Sequence, residues 1–243
     1  MSAPSATAPL KPYIGPLPFE EGRELYGRKR ETQQLFDLLI SKRIVLLISP
    51  SGAGKTSLIQ ASLVPRLRRK LQVLPIIRLA ASTSQDNEAA HQTNTYVSAA
   101  LQSLEAGFDQ ADRMSEEALR AHSLDSYLQA RWQPKVDGIH REYPLLILDQ
   151  FEELFTLNHF DWDAKKVFIE QLGEALSGGS TAEDDLEDDG HNRRPIWALL
   201  SMREDYAAEL EPYRDLLPTA LIFRYRLEPL EREQAIEAVR EPS

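Results

Sequence analysis

Buried-looking apolar strands that alternate with helical patterns predict an α/β fold with a mostly parallel central sheet flanked by helices. A glycine-containing loop between one of those strands and a following helix predicts the same architecture. The absence of any internal repeat leaves one core fold as the organising unit.

The first 22 residues hold five prolines and predict an extended leader or linker. LYGRKRETQQLFDLLI then places Leu35, Leu38 and Leu39 at helical spacing, and RIVLLIS reads as a buried strand. The segment SPSGAGKTS follows, and KTSLIQASLV resumes a helical pattern. VLPIIRLA, from Val73 to Ala80, reads as a second strand, and Ser82 to Thr95 as a polar loop. Helices are expected over Tyr96 to Ala106 and Leu124 to Val136, with YPLLILD as the third strand and DAKKVFIEQLGEAL as a further helix. Between Leu176 and Arg194 lies a run with six acids from Glu183 to Asp189, whose mutual repulsion predicts a surface loop over 177–194. PIWALLSM is the next strand, REDYAAELEPY a short helix, ALIFRYRLEPL an edge strand and EREQAIEAVREP a closing helical pattern. The expected organisation is a leader over 1–22, a core over 23–230, and the start of a C-terminal lid or helical domain over 231–243.

The chain of 243 residues carries a net charge of −10, which argues against a broad nucleic-acid or membrane-binding surface. It has no cysteine, which excludes thiolate catalysis and cysteine-ligated zinc and favours a cytoplasmic location. No apolar run is long enough to span a bilayer, and the first residues lack the pattern of a signal peptide. The acidic run lacks the spacing and glycine-centred turn of an EF-hand, and His140 and His159 form no metal set. Trp132, Trp162 and Trp197 sit in apolar helical or strand patterns and need no ligand to account for them.

SPSGAGKTS has the outline of the phosphate-binding pattern G-x-x-x-x-G-K-[ST], with Ser49 in place of the first glycine. Gly52 and Gly54 let the backbone approach a phosphate, and the loop through Ser51, Ala53 and Ser57 presents amides and a helix start to the anion. Lys55 adds a cation near the β- and γ-phosphates, and Thr56 offers a hydroxyl to magnesium. LLILD ends in Asp149, a carboxylate at a strand's carboxyl end that suits a magnesium site, and Glu152 or Glu153 could orient or deprotonate an attacking water. The two glutamates could equally be favourable charges at a helix start. Arg203, after the fourth strand, reads as a sensor of the γ-phosphate or as an ion-pair partner of Glu204 or Asp205. Arg28 could contact a phosphate, a partner subunit or a local carboxylate.

In order, PYIGPLPFEEG, LYGRKRETQQL, SPSGAGKTSLIQASLVP, LLILDQFEELF, LLSMREDYAAEL and FRYRLEPLEREQAIEAVREP resemble the nucleotide-binding region of the novel STAND ATPases, P-loop relatives of the AAA+ proteins. The resemblance covers about residues 12 to 242. It implies a magnesium-dependent ATPase using ATP and ADP, with Tyr26, Gly27 and Arg28 near the nucleotide entrance. It also implies that Lys55 and Thr56 form the Walker A pair, Asp149 is the Walker B acid, Glu152 and Glu153 are its acidic continuation, and Arg203 occupies the sensor slot. Family members couple nucleotide state to self-association and to an effector or sensor carried elsewhere, some of them in defence against phage. A lid and sensor repeats would follow residue 243, so the chain is expected to be a core excised from a longer protein, or else a short protein whose missing parts arrive on a partner. The competing functions are a nucleotide-dependent interaction or oligomerisation module with little hydrolysis, and a small-molecule kinase. The missing N-K-x-D segment agrees with ATP over GTP.

Overall fold

The computed structural model describes residues 25–82, 94–132, 135–137, 140–158, 160–178 and 195–240. The expected leader, most of the polar segment before Asn94, His159 and the acidic run lie outside those residues.

A five-stranded sheet organises the molecule, in the order β2, β5, β6, β1, β7, with every neighbouring pair parallel. Its strands are β1 (Ile44–Ser49), β2 (Gln72–Val73), β5 (Pro144–Leu148), β6 (Trp197–Arg203) and β7 (Arg224–Arg226). A separate antiparallel pair, β3 (Lys135–Asp137) with β4 (His140–Glu142), stands outside this sheet. The helices are α1 (Lys29–Lys42), α2 (Lys55–Ser57), α3 (Val64–Leu67), α4 (Thr95–Glu105), α5 (Glu116–Arg120), α6 (Leu124–Arg131), α7 (Glu153–Thr156), α8 (Trp162–Leu176), α9 (Ala207–Leu210) and α10 (Arg232–Arg240).

Both faces of the sheet are covered, which is why β1, β5 and β6 read as continuous apolar runs. Successive side chains point to opposite faces. Ile44 and Leu46 of β1, Leu146 and Leu148 of β5, and Ala198, Leu200 and Met202 of β6 enter one core with α4, α6 and α8. Val45, Leu47, Leu145, Ile147 and Leu199 enter the other, against Leu35 and Leu39 of α1 and the helical segment after β1.

Local signals fix the helices. Asn94 Oδ1 accepts the amides of Tyr96 and Val97 at 3.0 and 3.1 Å and starts α4. Ser123 and Ser126 form a reciprocal cap at α6, and Asp161 accepts the Ala164 amide to start α8. Buried Glu105 ties α4 to α6, since its carboxylate accepts the Tyr127 hydroxyl at 2.7 Å and Arg131 Nε at 3.0 Å.

Several boundaries differ from the sequence pattern. The strand expected over Val73 to Ala80 is hydrogen-bonded as β2 only at Gln72–Val73, because the amides that reach β5 are those of Gln72, Leu74 and Ile77, and two residues instead of one separate the last two. The chain still tracks β5, with an isolated parallel bridge from Ile77 to Leu148, then turns into a 3₁₀ segment at Leu79–Ser82. The helix expected to reach Val136 stops at Arg131, where Trp132 leaves helical geometry two residues before Pro134. The short helix after β6 is three stacked turns: 3₁₀ at Glu204–Tyr206, then α9, then 3₁₀ at Glu211–Leu216. Trp162, expected within an apolar pattern, is 57% exposed on α8.

One contact sets how closely α8 can pack. A Cβ built on Gly173, inside α8, would lie 2.0 Å from the Leu216 carbonyl oxygen. Alanine is preferred over glycine in a helix interior by about 1 kcal/mol. Here the clash should reverse the sign. Gly173→Ala is expected to destabilise the fold by about 1–3 kcal/mol, the usual cost of overpacking. Urea denaturation measures it, and an unchanged or raised midpoint would show that α8 does not pack on this backbone.

Candidate functional site

Parallel register brings the carboxyl ends of β1, β6 and β5 to one edge, with β6 between the other two. Ligands of open α/β sheets bind at this edge. Ser49 ends β1, Arg203 ends β6, and Asp149 follows β5.

The loop from Ser49 to Lys55 turns on two glycines. Gly52 has φ 77° and Gly54 has φ 89°, left-handed values that disfavour other residues. A Cβ at either position would meet no atom within 4 Å, so conformation rather than space selects glycine. Ser51, Gly52 and Gly54 are exposed, while Ala53 is buried. Lys55, Thr56 and Ser57 begin a continuous helical run through α2, a π-helical stretch at Leu58–Leu63, and α3. The Val64 amide reaches back five residues to Ile59 O, which spaces the chain around Pro65 where a regular helix would clash.

Ser49 is buried at the end of an extended strand and has no positive φ, so the backbone does not need a glycine there. Its hydroxyl donates to Pro50 O at 2.8 Å and accepts Lys55 Nζ at 2.9 Å. The serine therefore serves as an anchor for Lys55. Burial pushes the Lys55 ammonium below its ordinary pKa, opposed by the Glu152 and Asp149 carboxylates.

Asp149 is 1% exposed and is held by three donors. Thr56 Oγ1 donates to Oδ2 at 2.9 Å, Arg78 Nη2 to the same oxygen at 3.3 Å, and Ser201 Oγ to Oδ1 at 3.2 Å. Directly after it, Gln150 adopts φ 58°, a strained value for a non-glycine residue. That turn delivers the Phe151 amide to Ser201 O at 2.8 Å and starts the short helix that carries the two glutamates.

The glutamates face different ways. Glu152 Oε2 accepts the Arg203 amide at 3.2 Å, and its charge acts on Lys55, as do those of Asp149, Arg203 and Asp205. Glu153 Oε2 accepts the Ala80 amide at 2.8 Å. Burial pushes the Glu153 carboxyl up, opposed by the Ala80 and Leu79 amides. The Arg203 guanidinium pairs with Asp205, with Nη2 at 2.5 Å from Oδ2 and Nε at 3.1 Å from Oδ1.

Arg28 does not point at open space. It is 4% exposed, and its guanidinium donates to Ala53 O at 3.0 Å, to Glu228 O at 2.9 Å and to Glu31 at 3.3 Å. Gly27 (φ 75°) lies so close to α10 that a Cβ would sit 2.6 Å from Gln234 O, and Tyr26 is half-buried beside it. Gln234 Nε2 in turn donates to Glu31 Oε1 at 2.6 Å.

Lys55 with Ser49 and Thr56 with Asp149 are thus brought together at the loop. Glu152 and Glu153 accept the backbone amides of Arg203 and Ala80, Arg203 pairs with Asp205, and Arg28 holds the Ala53 and Glu228 carbonyls. Ser201, Arg78 and the anchoring role of Ser49 are additions that the sequence pattern did not yield. A serine inside the apolar run LLSM and an arginine inside VLPIIRLA were the available signals. Among the described residues no cluster of three His, Asp or Glu side chains suits a metal, and no helix is long and apolar enough to cross a membrane.

Residues 12–243 match the family model described as Novel STAND NTPase 1. The chain belongs to this family. The STAND NTPase also shares its fold with the Walker-type ATPase paby2304 of Pyrococcus abyssi (TM-score 0.55, 14% identity, covering 93% of this chain and 60% of that one). A second similar structure is the Aeropyrum pernix ORC2 protein in its ADPNP–ADP complexes (TM-score 0.50, 12% identity, covering 91% of this chain and 53% of that one). The STAND NTPase therefore spans three fifths or less of these structures. No curated protein matches the chain. At such identities the likeness carries the fold alone, and it agrees with the P-loop α/β architecture expected from sequence.

The Arg28 contacts give a stability test. Arg28→Met removes a buried guanidinium, leaves two carbonyls short of a donor and uncovers Glu31, so a loss of about 2–4 kcal/mol is expected. A shift below about 0.5 kcal/mol in chemical denaturation, the range of an ordinary surface change, would contradict the buried arrangement.

Proposed function

We propose that the chain is a magnesium-dependent ATPase core, the nucleotide switch of a bacterial signal-transducing protein of the kind that includes antiphage defence systems. One observation carries the reading: Thr56 Oγ1 and Asp149 Oδ2 lie 2.9 Å apart beside a loop whose lysine is already anchored. Family membership supports nucleotide as the ligand, and a protein of similar fold solved with ADPNP and ADP agrees with it.

The residues fit magnesium. A hydroxyl and a carboxylate supply hard oxygen donors, and such sites are completed by phosphate oxygens and water instead of an all-protein cage. Bound there, magnesium would help to neutralise charge on the β- and γ-phosphates. The chain's own part begins with the loop around the exposed Gly52 and Gly54, whose backbone amides donate to phosphate oxygens at the start of the helical run. Lys55 adds a positive charge at reduced solvation, which strengthens its attraction for the anion. Glu152, whose charge acts on Lys55, takes the proton of the attacking water. A bond then forms between that water oxygen and the γ-phosphorus, and the bond to the β–γ bridging oxygen breaks. Glu153 is the positioning residue of the pair, since its carboxylate holds the Ala80 amide. Arg203 must leave Asp205 before its guanidinium can meet a γ-phosphate.

A second reading has support from that last contact. With Arg203 paired to Asp205 and Glu152 accepting a backbone amide, the core would retain nucleotide and act as an interaction or oligomerisation module with slow turnover. Effector and sensor parts, self-association and a cytoplasmic setting belong to the same proposal.

Turnover and binding measured together separate these readings. Lys55→Ala is expected to weaken ATP binding by tenfold or more, about 1.4 kcal/mol or above. Glu152→Gln should retain binding and lower turnover by about 10²–10⁴-fold, the span of general base catalysis. Glu153→Gln should leave turnover within about fivefold, because an amide oxygen can still accept from Ala80. If Glu153→Gln abolishes turnover and Glu152→Gln does not, the roles are exchanged. Tight ATP binding by wild type with no turnover would select the interaction module.

A further inference from the structure

Arg78 has no part in the reaction described above, yet strand register places it at the centre of the site. Ile77 bridges Leu148, and its carbonyl accepts the Asp149 amide at 3.1 Å, so the next side chain falls beside the Asp149 carboxylate. On the other side Ser103 Oγ, which donates to Ala99 O at 2.9 Å, accepts the Arg78 amide at 3.5 Å and so sets this backbone beside α4. The guanidinium then pairs with Oδ2 of Asp149 at 3.3 Å. This is the oxygen that also faces Thr56, where the metal donors converge. The pair is unequal in burial: the Asp149 side chain is 1% exposed and that of Arg78 is 41% exposed.

We propose that Arg78 is a built-in counter-cation for the metal-binding carboxylate, covering Asp149 Oδ2 while magnesium is absent and yielding it when magnesium binds. The proposal rests on the reading of this edge as a magnesium–nucleotide site. A carboxylate buried as deeply as Asp149 needs a positive partner, because an unpaired buried charge is strongly unfavourable. Thr56 and Ser201 donate hydrogen bonds but bring no charge. Arg78 does, and being part-exposed on a flexible stem it can return to water at little cost, whereas Asp149 cannot. Two cations on one carboxylate oxygen repel each other, so the guanidinium and a divalent ion bind there in competition. The consequence runs in two directions. Arg78 weakens the apparent affinity for magnesium, and it lets nucleotide enter without magnesium, since the carboxylate's repulsion of phosphate is already offset. Because binding linkage is reciprocal, removing Arg78 must make nucleotide and magnesium depend more strongly on each other.

Equilibrium binding of a fluorescent ADP analogue reads this without any turnover. Wild type, Arg78→Met and Arg78→Lys would be titrated with the analogue in EDTA and, separately, with magnesium at fixed analogue concentration. For Arg78→Met, binding in EDTA is expected to weaken and the magnesium midpoint to fall, each by about tenfold, within the usual range of coupling between two sites. Arg78→Lys keeps the charge and should stay within about threefold of wild type on both axes, well inside that coupling. Should Arg78→Met not fold, as read by thermal unfolding, Arg78→Gln carries the same expectation. An unchanged magnesium midpoint in the neutral variant overturns the proposal, and so does a lysine variant that behaves like methionine. Wild type that binds no analogue in either condition instead overturns the nucleotide-site reading, and the role of Arg78 with it.

Discussion

The buried carboxylate of Asp149 is the constraint around which the rest of the molecule is arranged. Its donors come from three places that share no local sequence: Thr56 after β1, Ser201 on β6 and Arg78 beside β5. They converge only because β6 lies between β1 and β5 in parallel register, with Leu200 opposite both Leu46 and Leu148. A one-residue slip of β6 would send Ser201 to the other face of the sheet and push Leu200 towards the charge. The polar junction and the two apolar cores therefore enforce the same register. Serine at position 201 is tolerated inside an otherwise apolar strand because its hydroxyl has a partner there.

A second set of contacts ties the phosphate loop to the end of the sheet away from Asp149. Arg28 holds the Ala53 carbonyl in the loop and the Glu228 carbonyl after β7 with one guanidinium. Glu31 stands next to it and also takes the Gln234 side chain from α10. Glycine at position 27 is required by both its φ and the closeness of the Gln234 backbone. Any rearrangement that displaces the Ala53 carbonyl must carry the Glu228 segment along or break a charged hydrogen bond.

The parts of this plan that were legible in sequence are those with a local cause. Strands β1, β5 and β6 are buried on both faces, so their apolar runs stand out without any knowledge of neighbours. Gly52, Gly54, Lys55 and Thr56 are visible because they keep the fixed spacing of the phosphate-binding pattern. Asp149 is visible as the acid that ends an apolar run. What stayed hidden depends on adjacency across the sheet. Arg78 and Ser201 gain their meaning only from the order β2, β5, β6, which no spacing encodes. VLPIIRLA looks like a strand by composition, yet an extra residue between Leu74 and Ile77 breaks its regular ladder to β5. The β3–β4 pair carries charged residues in both strands and offers no apolar alternation to recognise. That Glu152 accepts the Arg203 amide and Glu153 the Ala80 amide was equally out of reach, since both partners come from distant segments.

These two contact sets bound what a nucleotide could do to the protein. A ligand moves an equilibrium only through contacts that differ between states, and driving a population from 1:99 to 99:1 takes about 5.5 kcal/mol. A hydrogen bond from a charged donor contributes about 1.5–3 kcal/mol, so the two carbonyl bonds of Arg28 together are of the required size. The contacts of Lys55 with Ser49 and of Arg78 with Asp149 act in the opposite sense. Each gives a charged group a protein partner that a phosphate or a metal would have to replace, which lowers the difference that ligand binding can create. The fold thus engages with its own groups the same charges that a ligand would recruit. A shift of the Ala53 carbonyl would reach α10 through Arg28, Glu31 and Gln234.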